Sequence, residues 1–196
     1  MRPDFKLIKE WIAPGSRVLD LGCGDGALLA LLRDERRVEG LGVEIDPDNL
    51  TYCISRGLSV VEQDLNLGLD NFCDDSFDVV VMTNSLQTLR YPHRMVDEML
   101  RVGRQCIVTF PNFGHWQARF HLSLRGRMPV SRHLPYTWYD TPNIHFCTVR
   151  DFDALCHKKR IAVTARHVVS ARHRRTLAAR WWPNLFGLTA IYHMRR

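Results

Sequence analysis

The chain has 196 residues, of which 45% are apolar and 24% charged, the profile of a single soluble globular domain. No apolar run approaches the roughly 18 residues of a membrane-spanning helix, and the charged start MRPDFKLIKE lacks the apolar stretch of a signal peptide. A cytoplasmic protein with no membrane partner is therefore expected. The net charge of +6 is split unevenly: residues 1–110 hold 12 Lys+Arg against 18 Asp+Glu, while residues 111–196 hold 15 against 3. The acidic part suits a cationic ligand and the basic part an anionic surface. The six cysteines are scattered without a Cys-x-x-Cys pair and read as reduced thiols.

In chain order, Phe5, Ile8, Trp11 and Ile12 share one face of a first helix, Asp4–Ala13, which Pro14-Gly15-Ser16 ends. A short strand, Arg17–Leu21, runs into a glycine-rich turn and the helix Ala27–Arg33. Strand Gly40–Ile45, helix Pro47–Arg56, strand Ser59–Gln63, strand Phe77–Met82, helix Pro92–Arg101 and strand Gln105–Phe110 follow. The fourth strand is apolar past Asp78, as strands buried on both faces are. Residues 111–147 carry aromatics, prolines and arginines without a clear period. Several of the prolines oppose long helices, and Trp116, Tyr136, Trp138 and Tyr139 bring area to bury, so a cover over the open end of the sheet is expected. Thr148–Asp151 has the capping-box pattern and opens a helix to about Lys158. Strands are expected at Ile161–Ser170 and Leu188–His193, around a basic and aromatic stretch, Arg172–Trp182. Strand–helix alternation implies an open parallel sheet with helices on both faces. The whole chain reads as one domain: a cofactor-binding half over 1–110, the cover over 111–147 and a C-terminal helix and strands over 148–196.

The chemistry-bearing segment is Val18-Leu19-Asp20-Leu21-Gly22-Cys23-Gly24-Asp25-Gly26. A strand leads into a Gly-x-Gly-x-Gly turn and then a helix, so a ligand can lie against the backbone with no Cβ in the way. The dinucleotide version of this turn holds a pyrophosphate on the helix N-terminus. Here Asp20 and Asp25 would repel a pyrophosphate and attract an ammonium and a sulfonium, which favours S-adenosylmethionine, or its product S-adenosylhomocysteine, over NAD. Glu44 ends the second strand and can accept both ribose hydroxyls, at very roughly 1.5–3 kcal/mol per charge-assisted bond. Ile45 follows it against the adenine. Asp64 ends the third strand and can accept the adenine amino group, with Leu65 against the ring. Any one of these acids alone reads as a solvated strand end. Three acids ending three successive strands beside a glycine turn read as a ligand site, in the place where open parallel sheets bind ligands.

VLDLGCGDG, GVEID and EQDL resemble the three cofactor segments of the class I S-adenosylmethionine-dependent methyltransferase fold. That resemblance implies a Rossmann-like, doubly wound, mostly parallel seven-stranded sheet in the order 3-2-1-4-5-7-6 with an antiparallel last strand, and cofactor contacts from Asp20, Gly22, Cys23, Gly24, Gly26, Glu44, Ile45, Asp64 and Leu65. Phe110–Trp116, Leu124–Val130 and Leu134–His145 resemble the methionine biosynthesis protein MetW family over nearly the whole chain. The resemblance implies a cytosolic protein that partners a homoserine O-acyltransferase in methionine synthesis.

No catalytic residue is assigned. Thr83-Asn84-Ser85-Leu86-Gln87 is not Asn-Pro-Pro-Tyr, and Gln87 cannot act as a base. His115, His121, His133, Tyr136, Tyr139 and His145 are candidates, with ordinary packing and surface roles the favoured reading. His145, Cys147, Cys156 and His157 lack regular metal-ligand spacing, so no metal is expected. Two function classes stand: an S-adenosylmethionine-binding accessory subunit that activates an acyltransferase, and a methyltransferase acting on a small molecule or RNA. Trp181 and Trp182 beside Arg172, Arg174, Arg175 and Arg180 keep RNA as the lesser partner, and a homodimer stays open.

Overall fold

The computed structural model describes residues 3–131, 134–169 and 181–196. Its frame is a seven-stranded sheet built from β1 (Arg17–Leu21), β2 (Glu39–Glu44), β3 (Ser59–Glu62), β4 (Phe77–Thr83), β5 (Gly103–Pro111), β6 (Ala162–Val169) and β7 (Thr189–Arg195) in the order β3-β2-β1-β4-β5-β7-β6. β1 to β5 pair in parallel, and β7 runs antiparallel to both β5 and β6. This is the Rossmann-like sheet with an antiparallel last strand that the motifs implied, and each expected strand lies within two residues of its observed ends.

Period-two alternation explains why β4 is apolar over Val79–Met82. Val80 and Met82 point to one face, where they join Met95, Val96, Met99, Phe152 and Tyr192. Val79 and Val81 point to the other, onto Ile8, Ile12, Leu28 and Leu32. The first face is covered by α4 (Pro92–Val102) and α6 (Val149–Lys159), the second by α1 (Pro3–Trp11) and α2 (Ala27–Arg36). Where the strand is buried on both sides, over Val79–Met82, no position is left for a solvated side chain. The ends of the helices follow their residues. Asp46 caps α3 (Pro47–Ser55) by accepting from the Asp48 N–H at 2.9 Å, with Pro47 in the first turn. Thr148 and Asp151 form the expected capping box on α6.

The stretch 111–147 departs from expectation in two respects. It contains a ten-residue helix, α5 (Trp116–Arg125), entered through a His115 cap and closed by Gly126 at φ 59°. The prolines lie outside it, so they bound the helix rather than prevent it. Its aromatics are also not buried: Trp138 is 73% and Tyr139 74% exposed. Asn112 fastens this region to the sheet. Its Nδ2 donates to the carbonyls of Asn184 (3.0 Å) and Gly187 (2.7 Å), and its Oδ1 accepts from the N–H groups of Gly114 (3.0 Å) and Val149 (3.2 Å). One 3%-exposed side chain thus joins the end of β5, the start of α6 and the turn before β7.

Candidate functional site

β1 ends at Leu21, and the chain turns through Gly22, Gly24 and Gly26 at φ 70°, 56° and 68°. These values lie in the left-handed region that costs other L-residues roughly 1–2 kcal/mol each. The N–H groups of Gly22 and Cys23 donate to the Val43 carbonyl at 2.8 and 3.1 Å, so the turn is held against the end of β2. A Cβ on Gly26 would run into Leu58 Cδ1 and come within 2.9 Å of Cys53 Sγ, so that glycine is needed for close packing of the turn on α3. A Cβ on Gly24 would meet no atom within 4 Å. Gly24 therefore presents bare backbone to open space, the property a ligand-binding turn needs.

Glu44 reaches the turn directly, and Asp20 and Asp64 stand at the ends of the flanking strands. Asp20 is buried at the end of β1, 1% exposed. Glu44, 9% exposed, folds back on the turn. Its Oε2 accepts from the Gly24 N–H at 2.7 Å, and its Oε1 accepts from the N–H groups of Ile45 (2.8 Å) and Asp46 (3.0 Å). Each carboxylate oxygen has two acceptor positions, so Oε2 keeps one beyond Gly24. Asp64 ends β3 and accepts from the backbone and side-chain N–H groups of Asn66, both at 2.9 Å. Ile45 is 56% exposed, and Leu65 packs partly into the core below. Asp25 Oδ1 accepts from the Ala27 N–H at 3.1 Å, and Arg56 Nη1 donates to the Asp25 carbonyl, also at 3.1 Å.

The set fits an adenosyl sulfonium and not a pyrophosphate. The open face at Gly24, the buried carboxylates of Asp20 and Glu44 and the acceptor position left on Glu44 match a cationic nucleoside, and the acids repel phosphate. Cys23 adds no nucleophile. Burial, and then the nearby Asp20 carboxylate, push its thiol well above the ordinary thiol range, so it stays protonated. Cys53 beside it is shifted the same way by burial.

The candidate bases take other positions. His115 Nδ1 accepts from the Gln117 N–H at 3.3 Å and so caps α5. His121 is half-buried on α5, and Tyr136 and Tyr139 are exposed. His133, with Arg172, Arg174, Arg175 and Arg180, lies outside the described residues. His145 comes close to the site: its Nε2 lies 3.3 Å from the Arg90 carbonyl, and the N–H groups of Ile144 and His145 both donate to the Gln87 carbonyl at 3.1 Å. Gln87 itself is buried, donating from Nε2 to the Asn84 carbonyl at 2.6 Å. Among the described residues no cluster of His, Cys, Asp and Glu could hold a metal ion.

Two positions beside the candidate site had no signal as single residues. Asn66 bridges the site to the loop after β4, since its Oδ1 accepts from the Arg90 N–H at 2.9 Å while its amide donates to Asp64. Ser85 lies against Gly22, where an added Cβ would meet its Oγ at 2.7 Å. A continuous chain of contacts, Asp64–Asn66–Arg90–His145, thus joins the end of β3 to the stretch 111–147.

A family model described as methionine biosynthesis protein MetW matches residues 2–194. The chain is 43% identical over 157 residues to the bifunctional methionine biosynthesis protein MetXA/MetW of Rhodopirellula baltica, a match covering 76% of this chain and 25% of that protein. It is 30% identical over 106 residues to the ribosomal protein L11 methyltransferase of Burkholderia vietnamiensis, covering 52% of this chain and 35% of that one. The chain thus spans only about a quarter to a third of the length of these curated relatives. Among solved structures, it aligns with a putative methyltransferase from Haloferax volcanii in complex with the Trm112 methyltransferase activator at TM-score 0.72 and 16% identity, covering 97% and 87% of the two chains. An S-adenosylmethionine-dependent methyltransferase from Mesorhizobium loti aligns at TM-score 0.69 and 16% identity, covering 100% and 98%. At these identities the structural likeness establishes the fold.

Proposed function

The chain belongs to the methionine biosynthesis protein MetW family, and from that premise we propose that it is an S-adenosylmethionine-binding accessory subunit that activates a homoserine O-acyltransferase. The observation that carries the ligand half of this reading is the open Gly24 turn clasped by Glu44, with Asp20 and Asp64 at the ends of the flanking strands. Bound there, S-adenosylmethionine would supply an activated methyl sulfonium. The chain's own residues have simpler roles. Glu44 takes a ribose hydroxyl on its remaining acceptor position, Asp64 faces the adenine amino group, Ile45 and Leu65 flank the ring, and Asp20 balances the ligand's positive charge. Gly22, Cys23, Gly24 and Gly26 provide the backbone surface.

The partner half is supported by the Rhodopirellula relative, whose name joins a MetXA part and a MetW part in one bifunctional chain. The MetW resemblance implies a homoserine O-acyltransferase as the partner. The stretch 111–147 is the proposed cover. It returns to the site through Gln87 and Arg90, and the Asp64–Asn66–Arg90–His145 chain offers a route from ligand to cover. Proteolysis within 111–147 should slow when ligand is present.

The direct test is acyl transfer to homoserine by the purified acyltransferase, with and without this protein, with gel filtration of the mixture. Higher activity and a co-eluting complex support the reading. Unchanged activity without a complex defeats it, and methyl transfer to a small molecule or RNA then takes first place. The L11 methyltransferase relatives favour methyl transfer as such, and their name gives a protein acceptor.

A further inference from the structure

The loop that leaves β4 spends its polar groups on itself and its neighbours, with one exception. Asn84 stands at φ 57°, and its N–H donates to the Thr109 carbonyl at 2.9 Å. The Ser85 hydroxyl donates to the Thr83 carbonyl at 3.2 Å, and the Thr88 hydroxyl to the Ser85 carbonyl at 2.8 Å. Gln87 is 5% exposed, and its Nε2 donates to the Asn84 carbonyl at 2.6 Å. That bond fixes which way round the amide sits. It leaves the Gln87 Oε1 buried and without a hydrogen-bond partner among the described residues. A buried acceptor in that state costs stability unless a ligand or a water brings the donor.

The sheet order says which donor. In the run β3-β2-β1-β4, β4 lies on the opposite side of β1 from β2 and β3. Glu44 and Asp64, the acceptors for adenosine, end β2 and β3. A ligand whose adenosine lies over those two strands, extended across the Gly24 turn, brings its amino-acid end to β4. The loop is placed to meet it, since Ser85 lies against Gly22. That end carries a carboxylate and an ammonium. A carboxylate would set acceptor against acceptor at Oε1, whereas an ammonium brings three donors.

We propose that Gln87 reads the amino-acid end of the ligand: its Oε1 accepts from the ligand's ammonium, and its main-chain carbonyl passes occupancy to the cover. That carbonyl accepts from the N–H groups of both Ile144 and His145, each at 3.1 Å. One residue thus meets the ligand through its side chain and the stretch 111–147 through its main chain. The inference rests on the ligand reading above and adds the group recognised and the residue that couples it to the cover.

The test compares two probes by calorimetry on the full chain: S-adenosylhomocysteine, and its analogue with hydrogen in place of the amino group. Both are titrated into wild type and Gln87→Leu, and amide hydrogen exchange at Ile144 and His145 is followed in wild type saturated with each. Wild type should prefer S-adenosylhomocysteine by at least about tenfold. Gln87→Leu should bind it about tenfold more weakly than wild type does, and the analogue within about twofold of wild type. The amides of Ile144 and His145 should exchange more slowly with S-adenosylhomocysteine than with the analogue. Should wild type bind neither probe, the ligand reading falls and this inference with it. Equal wild-type affinity for the two probes, as a water on Oε1 would give, overturns the inference alone. So does equal protection of the two amides, which needs no variant, and so does a variant that weakens both probes equally or neither.

Discussion

At the carboxyl ends of β2 and β3, acidic side chains turn inward onto backbone N–H groups, whereas beyond β5 aromatic side chains turn outward to solvent. Glu44 clasps Gly24, Ile45 and Asp46, and Asp64 clasps Asn66. Trp116, Phe120, Trp138, Tyr139, Trp181 and Trp182 are all exposed. The first region is acidic and folded back on its own backbone, and the second is basic with exposed aromatic side chains. The contrast teaches why the proposed function places a small cationic ligand at one and a protein partner at the other.

The comparison breaks first where the two regions are joined. Asn112→Ala leaves the carbonyls of Asn184 and Gly187 and the N–H groups of Gly114 and Val149 without their partner in a buried place. At roughly 1–3 kcal/mol for an unsatisfied group, partly relieved by water, the loss should be about 4 kcal/mol in chemical denaturation. Acyltransferase binding should fail together with stability.

Within the first region, Gly26→Ala forces a Cβ into a left-handed position and against Leu58 and Cys53. A loss of about 3 kcal/mol is expected, with S-adenosylmethionine affinity lost as the turn shifts. Differential scanning calorimetry with and without ligand reads both effects.

The second region should respond in the opposite sense. Trp181 and Trp182 are 75% and 64% exposed. Replacing both with Ala should change stability by less than about 0.5 kcal/mol, and if they belong to the partner surface it should weaken the complex by about 2 kcal/mol. A drop in melting temperature would instead show that they pack within the domain.

The smallest effect lies at the seam between α1 and the last strands. His193 stacks on Trp11 at 5.3 Å, its Nε2 lies 2.7 Å from Gln105 Oε1, and burial lowers its pKa from the ordinary value near 6.5. As pH falls below that value, the unfolded chain takes up the proton before the folded one does. This share of stability is therefore full above the unfolded pKa and is lost as pH falls toward the folded one. His193→Gln should flatten that part of the stability profile.

What the sequence revealed of this division depended on how local each feature is. The strand β4, the capping box at Thr148 and Asp151, and the acids that end β1, β2 and β3 are set by neighbours within a few residues, and all were legible. The role of Asn112 was not, because the carbonyls it binds lie 72 and 75 residues away. The helix α5 was missed for a different reason. Its apolar residues keep the helical period but face outward, so no buried partner face in the sequence matches them. Proline-rich flanks hid it further. Gly24 and Gly26 look alike in the motif, yet one faces open space and the other is packed tight, a distinction only the fold supplies.

That distinction gives the most direct measurement of the ligand site. Gly15 and Gly24 both hold left-handed φ values, 74° and 56°, and a Cβ on either meets no protein atom within 4 Å. Gly15→Ala and Gly24→Ala should therefore lose similar stability, about 1 kcal/mol each. Only Gly24 lies in the turn that Glu44 clasps. In a calorimetric titration with S-adenosylmethionine, wild type and Gly15→Ala should bind alike and Gly24→Ala at least about tenfold more weakly, a difference of about 1.4 kcal/mol. No heat from the wild type at millimolar ligand, or equal binding by both variants, would contradict the account.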